Sequence, residues 1–297
     1  MLSYLSALDL FVHIIRKLDM KILDLGDKDA DIRPMRKQIT TLLALVAFML
    51  VTAPFAHAAF PVPFGPGEKL TYEIHWTFIH AGDAVLEVMP DTEMNGVQAR
   101  HFKATAKTVP WVDKIYKVRD TMDAWTNMDV THALRYKKDQ NEGTYHKNVD
   151  LIFDKEKNQS LRYVRGDLKH TLDQPESVFD PMSILYSFRK QIMYKTMKFG
   201  AHVSDGKKSV VGEAYVEDVE DVETPMGVIR AFRVRLDIKH LSGVFKKSKD
   251  AELLVWFSAD KRRIPIRVRS KVKVGHFSLE LVDYQPPTAK ASDSAGR

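Results

Sequence analysis

The 297-residue chain has no cysteine. That excludes a disulfide scaffold, a thiolate zinc site, an iron–sulfur cluster and a cysteine nucleophile. It also excludes a lipid anchor on an N-terminal cysteine. Glycine and proline, at 14 and 13 residues, are too few for a collagen-like or low-complexity chain. The fingerprints G-x-S-x-G, G-x-x-x-x-G-K-[ST], G-x-G-x-x-G and H-E-x-x-H are all absent. Neither sign of charge dominates strongly: 45 Lys+Arg against 39 Asp+Glu leave +6. The densest basic runs, Lys246-Lys247-Ser248-Lys249 and Lys261-Arg262-Arg263, stand beside Asp250 and Asp260. They read as solvated surface, and no nucleic-acid partner is expected.

Only one long apolar run is present, residues 42–51 (LLALVAFMLV). Arg36-Lys37 precede it, and Pro54 and Ala56-His57-Ala58 follow. Cationic start, short apolar core and A-x-A site are the order of a cleavable signal peptide. A bilayer span needs about 20 apolar residues, so the run is short for an anchor. The pattern predicts a signal peptide over 35–58, cleaved after Ala58 or one residue later, and a periplasmic mature chain. An uncleaved membrane anchor is the alternative. Residues 1–34 double the usual signal length, and Met35 stands just before Arg36, so translation is expected to begin at Met35.

Downstream the dominant period is two. Leu70, Tyr72, Ile74, Trp76 and Phe78 alternate with Thr71, Glu73, His75 and Thr77. Alternation puts one set on one face of a strand. Ala81-Gly82-Asp83 is read as the turn of a hairpin into Ala84, Leu86 and Val88. Similar alternation recurs at 102–106, 149–153, 161–163, 232–238, 253–257, 264–268, 272–274 and 277–281. Asn95-Gly96, Glu142-Gly143, Asp205-Gly206, Met226-Gly227 and Val274-Gly275 supply reversals. The rhythm predicts an all-β fold, a curved antiparallel meander or open half-barrel. One amphipathic helix is expected near 180–195. Asp180 would cap it, Pro181 would open it, and Met182, Leu185, Phe188 and Ile192 would form its apolar stripe. A single β-rich domain over 59–285 follows, with a composition seam near 199–208 and a disordered tail at 286–297.

Candidate chemistry is sparse. The histidines are scattered singly, and His75 lies opposite the apolar face of its strand, so no metal site and no cofactor are expected. The acidic run Glu217, Asp218, Glu220, Asp221 and Glu223 lacks the Asn/Asp and Gly positions of a calcium loop, and reads as a solvated strand edge or turn. Over thirty carboxylates leave no selected glycosidase pair. What stands out is the number of aromatics on predicted buried faces. Tyr72, Trp76, Phe78 and Trp256 are candidate contacts for an apolar or acyl ligand, with Arg262 and Arg263 at its mouth for an anionic headgroup.

Several segments resemble one bacterial exported family, domain of unknown function 3108. They are GEKLTYEIHWTFIHAGDAVLEV (67–88), DPMSILYSFR (180–189), ETPMGVIRAFRV (223–234) and the stretch 253–284. The run Trp256, Ser258, Asp260, Arg262, Arg263, Ile264 and Pro265 is the most specific part. The resemblance implies a β-rich periplasmic or envelope-associated protein and implies no activity. A likeness to lipoprotein-carrier half-barrels is an analogy of fold alone.

Three readings stay open. The first is a non-enzymatic module holding an apolar or amphiphilic, lipid-like ligand on a concave sheet, or assisting envelope assembly; its partners would be a lipid, a lipoprotein or an envelope protein. The second is a hydrolase of an envelope polymer, which requires convergent carboxylates or a His–carboxylate pair in a cleft. The third is a structural domain with a filled core and an exposed apolar patch.

Overall fold

The computed structural model describes residues 62–237, 252–271 and 276–288. The signal segment, the residues before it, the basic run at 246–249, the Val274-Gly275 turn and most of the tail lie outside the described residues.

Nine strands come first: β1 (Lys69–Trp76), β2 (Ile79–Val88), β3 (Thr92–Met94), β4 (Val97–Thr108), β5 (Arg119–Asn127), β6 (Ala133–Glu142), β7 (Tyr145–Asp154), β8 (Gln159–Val164) and β9 (Asp167–Asp173). A second run holds β10 (Val178–Phe179), β11 (Lys198–Ser204), β12 (Ser209–Thr224), β13 (Gly227–Leu236), β14 (Glu252–Ser258), β15 (Pro265–Lys271) and β16 (His276–Gln285). The only helices among the described residues are the single turn α1 (Pro110–Asp113) and α2 (Ser183–Arg189). All strands join one open 16-stranded sheet, ordered β10 to β16, then β1, β2 and β4 to β9, with β3 beside β4. Both runs are meanders, and the β1–β16 pairing splices them. Among the described residues, the one parallel pairing is β10 with β11.

The two edge strands of this sheet, β9 and β10, are neighbours in sequence. The sheet therefore curls until its ends approach, and side chains bridge the gap. Gln174 donates to Ser160 Oγ of β8 at 2.8 Å and to Ser204 Oγ of β11 at 2.9 Å. Arg162 Nε donates to the Asp205 carbonyl at 3.0 Å. This reverses the expected facing of β8: Ser160 and Arg162 are buried, whereas Leu161 and Tyr163 are half-buried. Polar groups face inward there because the seam needs donors and acceptors where no strand ladder closes it.

Three clusters fill the inside. One joins Val88, Phe102, Ala124, Tyr136, Leu151 and Phe153 to Phe64 and Tyr186. A second gathers Leu70, Tyr72, Trp256, Ile266 and Leu281. The third packs Phe188, Met193 and Met197 on Val216, Val234, Val255 and Phe257. Helix α2 is shorter than the expected 180–195 helix and is buried nearly all round rather than amphipathic. It stops at Arg189, whose carbonyl accepts a hydrogen bond from Arg263 Nε, and tight turns from Lys190 and Gln191 to Ser187 and Phe188 follow. Ile192 and Lys195 lie beyond it, and Lys198 begins β11.

Other expectations shift. The β1–β2 turn falls at Thr77-Phe78, and Gly82 sits inside β2, where a Cβ would come 2.5 Å from the Lys107 carbonyl of β4. Glycine serves close approach there instead of a turn. Gly227, at φ +103, does serve a turn, as do Gly96, Gly143 and Gly206. The acidic run forms strand β12, where Glu217, Glu220 and Asp221 pair with Arg235, Arg233 and Arg230 of β13. Such cross-strand pairs contribute about 0.2–1 kcal/mol each.

Two aromatics test the placement of the core. Phe102 is fully buried, and Phe78 is 90% exposed. Phe102→Ala should cost about 3–5 kcal/mol in denaturant unfolding, and Phe78→Ala within about 0.5 kcal/mol of zero. Equal losses would show that the buried and exposed faces are misassigned.

Candidate functional site

The residues singled out in the sequence separate into two places. At the base of the sheet, Tyr72 is buried and its hydroxyl donates to the Pro265 carbonyl at 2.7 Å. Burial pushes its phenol pKa well above the ordinary value. Trp256 is also buried; its indole N–H donates to Glu220 Oε1 at 2.6 Å, and Arg267 lies over its ring. Arg262 and Arg263 occupy the β14–β15 connection. Arg262 grips Asp260 through both Nε and Nη2, at 2.8 and 2.5 Å, and stacks over Tyr284. Trp76 and Phe78 lie at the opposite end, 43% and 90% exposed. Strand β1 spans the whole distance, so its alternating face begins in the core and ends in solvent.

The base is organised by a residue the sequence reading passed over. Arg189, fully buried on α2, makes a two-pronged bond to Glu68, at 2.6 and 3.0 Å. Its remaining bonds, Nε to the Arg263 carbonyl and Nη2 to the Arg262 carbonyl, are both 3.1 Å. Its guanidinium also lies over the rings of Phe64 and Tyr186. Burial alone would lower its pKa, but the bonds and charge of Glu68 outweigh burial and raise it, so Arg189 stays a cation. One signal was available: Glu68 shares the parity of Leu70 and Tyr72, and Arg189 shares a helical face with Met182 and Tyr186.

Asp180 precedes α2, fully buried, and accepts from the Met182 and Ser183 amides at 2.8 and 3.0 Å. Its other oxygen has no partner, nor has the Tyr186 hydroxyl. Burial pushes the Asp180 carboxyl from 3.8 up to about 6, against the bonds that pull it down. The same burial raises Tyr136 and Tyr186.

At the other end, a meander brings every second connection to one rim. The 77–78 turn, the 109–118 connection, the 143–144 turn and the 165–166 turn are each hydrogen-bonded to a neighbouring connection or strand end. Thr77 N donates to the His276 carbonyl, Val109 N to that of Ala81, Gly143 N to that of Lys117, and Arg165 Nη2 to that of His146. Exposed on this rim are Trp76, Phe78, Ile79, Trp111, Ile115, Tyr116, Tyr145, Leu168 and Phe277. Other exposed apolar side chains, such as Val97, Met226 and Val228, lie on the opposite connections. Sequence reasoning found Trp76, Phe78 and Phe277 but assigned them to a buried face, and it missed the rest, which follow no alternation. Between Tyr145, His146, Lys147, Arg165, Asp167 and Lys169 the rim holds an open groove of about 370 Å³.

Among the described residues, three His–carboxylate pairs lie on strands: His75–Glu73 at 3.4 Å and His80–Asp83 at 3.0 Å stand side by side on β1 and β2, with rings 5.5 Å apart, and His101–Asp123 at 2.7 Å joins β4 to β5. His75 is half-buried rather than solvated, and its Nδ1 is buried without a partner. His101 stacks on Trp125 at 4.5 Å. Among the described residues, no three His, Asp or Glu side chains are placed to hold a metal ion.

Asp180 makes a pH test. An acid whose folded pKa is raised binds its proton more tightly when folded. The contribution of this group to stability is then fully present below 3.8 and is lost as pH rises through about 6, a change of about 2–3 kcal/mol. Asp180→Asn, which keeps an accepting oxygen for the helix, should remove that fall from the stability–pH profile. Parallel profiles for the two proteins would show that Asp180 is not the group responsible.

No curated protein matches the chain significantly. A β-barrel-like protein of domain of unknown function 1849 from Brucella abortus is 11% identical, covers 74% of this chain and 97% of its own, and superposes with a TM-score of 0.49. An exported-protein candidate with a YmcC-like fold from Bacteroides fragilis is 10% identical, covers 75% and 97%, and scores 0.33. A lipoprotein candidate from Parabacteroides distasonis is 10% identical, covers 75% and 98%, and scores 0.31. Residues 71–282, which run from β1 through both meanders and α2 to β16, match the family model described as protein of unknown function DUF3108, and the chain belongs to that family.

Proposed function

We propose that the chain is an exported, non-enzymatic binding module of the bacterial cell envelope, and that it engages an amphiphilic partner with the apolar rim of its sheet. The signal-like order of residues 36–58 supports export. The observation that carries the binding mode is the gathering of nine exposed large apolar side chains on strand ends and connections at one end. Large apolar side chains left exposed together at one end mark an interaction site. The concave face offers less, because α2, Phe64 and Phe102 fill it. In this reading Trp76 and Phe78 touch the partner, Tyr72 and Trp256 hold the core behind them, and Arg262 and Arg263 hold the base. The hydrolase reading has the His–carboxylate pairs in its favour, two of which stand side by side on β1 and β2, but none of the three pairs lines the rim groove.

Site-specific photo-crosslinking in the producing bacterium tests this. A photoreactive residue at Phe78 or Ile115 should capture an envelope lipid or protein, and one at Val228 should not. Protease should reach the protein only after the outer membrane is opened. Equal capture at all three positions, or a protein that protease reaches only after the inner membrane is breached, would overturn the reading.

A further inference from the structure

The rim carries more than apolar side chains. Lys114 and Lys117 flank Ile115 and Tyr116 and are exposed, and Lys147 and Arg165 flank Tyr145 and the groove. None of these four cations forms an ion pair among the described residues. Of the carboxylates nearby, Asp83 pairs with His80 and Lys107, Asp113 with Arg119 and Asp167 with Lys169, while Glu142 accepts a hydrogen bond from Gln140. The rim therefore presents unpaired positive charge around its apolar groups.

The apolar groups protrude. Phe78 is 90% exposed at the tip of a two-residue turn, and Ile115 is 80% exposed in the connection after α1. Isolated wedges fit a fluid surface better than a rigid partner, which needs shape complementarity, and protein interfaces are depleted in lysine. Trp and Tyr, here Trp76, Trp111, Tyr116 and Tyr145, are the residues that favour the depth of lipid headgroups. Lysines beside them are drawn to the negative potential of an anionic leaflet. No helix among the described residues is long and apolar enough to cross a membrane.

Resting on the reading above, we propose that the rim docks on the surface of an anionic phospholipid bilayer. Phe78 and Ile115 enter the interface, and Lys114, Lys117, Lys147 and Arg165 meet the phosphates. The groove between Tyr145, Lys147, Arg165 and Lys169 faces the headgroup layer, where Asp167 stays paired to Lys169.

Partitioning of the full chain onto vesicles tests the proposal. Every variant carries the same 42–51 apolar run, so differences between variants read the rim. On phosphatidylethanolamine vesicles containing phosphatidylglycerol, Phe78→Glu/Ile115→Glu should bind at least about tenfold more weakly than the parent. Lys114→Glu/Lys117→Glu should lose several-fold on these vesicles and change little on phosphatidylcholine. Val228→Glu, an equally exposed change at the far end, should bind as the parent does. All sites are exposed, and unchanged thermal unfolding verifies that each variant folds. If Phe78→Glu/Ile115→Glu binds within about twofold of Val228→Glu, the bilayer proposal fails. Should the rim then still crosslink to a protein in cells, the binding-module reading stands. Loss of both signals removes both.

Discussion

A single buried ion pair, Arg189 with Glu68, is the joint on which the rest of the molecule turns. Moving a guanidinium and a carboxylate out of water costs several kcal/mol each, and their attraction repays that only with good geometry and filled hydrogen bonds. Here the geometry is two-pronged, and two further donors reach the Arg262 and Arg263 carbonyls. Charge-assisted forks of this kind fix orientation as well as energy. The four bonds tie α2 to the start of β1 and to the β14–β15 connection. They thereby fasten the segment that links the two meanders to the strand where the meanders are spliced. Without that joint, the short helix would be held inside the curl mainly by the packing of Met182, Tyr186 and Phe188.

That arrangement decides where function can reside. An open sheet that curls on itself offers either a hollow or a surface for binding. In this protein the hollow is taken by α2 and by the rings of Phe64, Phe102 and Tyr186, packed edge-on and stacked. The unpaired Asp180 oxygen and Tyr186 hydroxyl show that the inside is not wholly comfortable. It is nevertheless filled. The rim, by contrast, sets apolar side chains and unpaired cations on connections that hydrogen bonds lock together. A rigid platform of this sort loses little freedom on binding.

Much of the architecture could be read from the sequence, because a strand's period of two survives any tertiary context that buries one face. Leu70 and Tyr72, Phe102 and Ala104, and Val149, Leu151 and Phe153 all fall where alternation puts them. The errors have physical causes. At β8 the seam's need for polar groups reversed the facing of Ser160 and Arg162. At Gly82 a neighbouring backbone explained a glycine that looked like a turn. Helix α2 was read as too long and one-sided, since helical spacing cannot distinguish a surface helix from one enclosed by a sheet. The six candidate residues, read together as one ligand site, are divided by the fold between base and rim, because alternation says nothing about where a core stops. Trp76 and Phe78 continue the parity of Tyr72 and are already outside. Of the rim residues, Phe78, Trp111, Ile115 and Tyr116 lie in connections, which carry no period, and only the folded meander brings them beside the strand ends.

The central claim is that α2 is a fixed part of the interior, so that binding takes place outside. Native-state hydrogen exchange of the α2 amides over 183–189, compared with those of β4, tests it most directly. The account predicts that both sets exchange only through global unfolding, with the same free energy. Exchange of α2 through a smaller local opening, while β4 stays protected, would make the helix a lid and return the hollow of the sheet as the binding site.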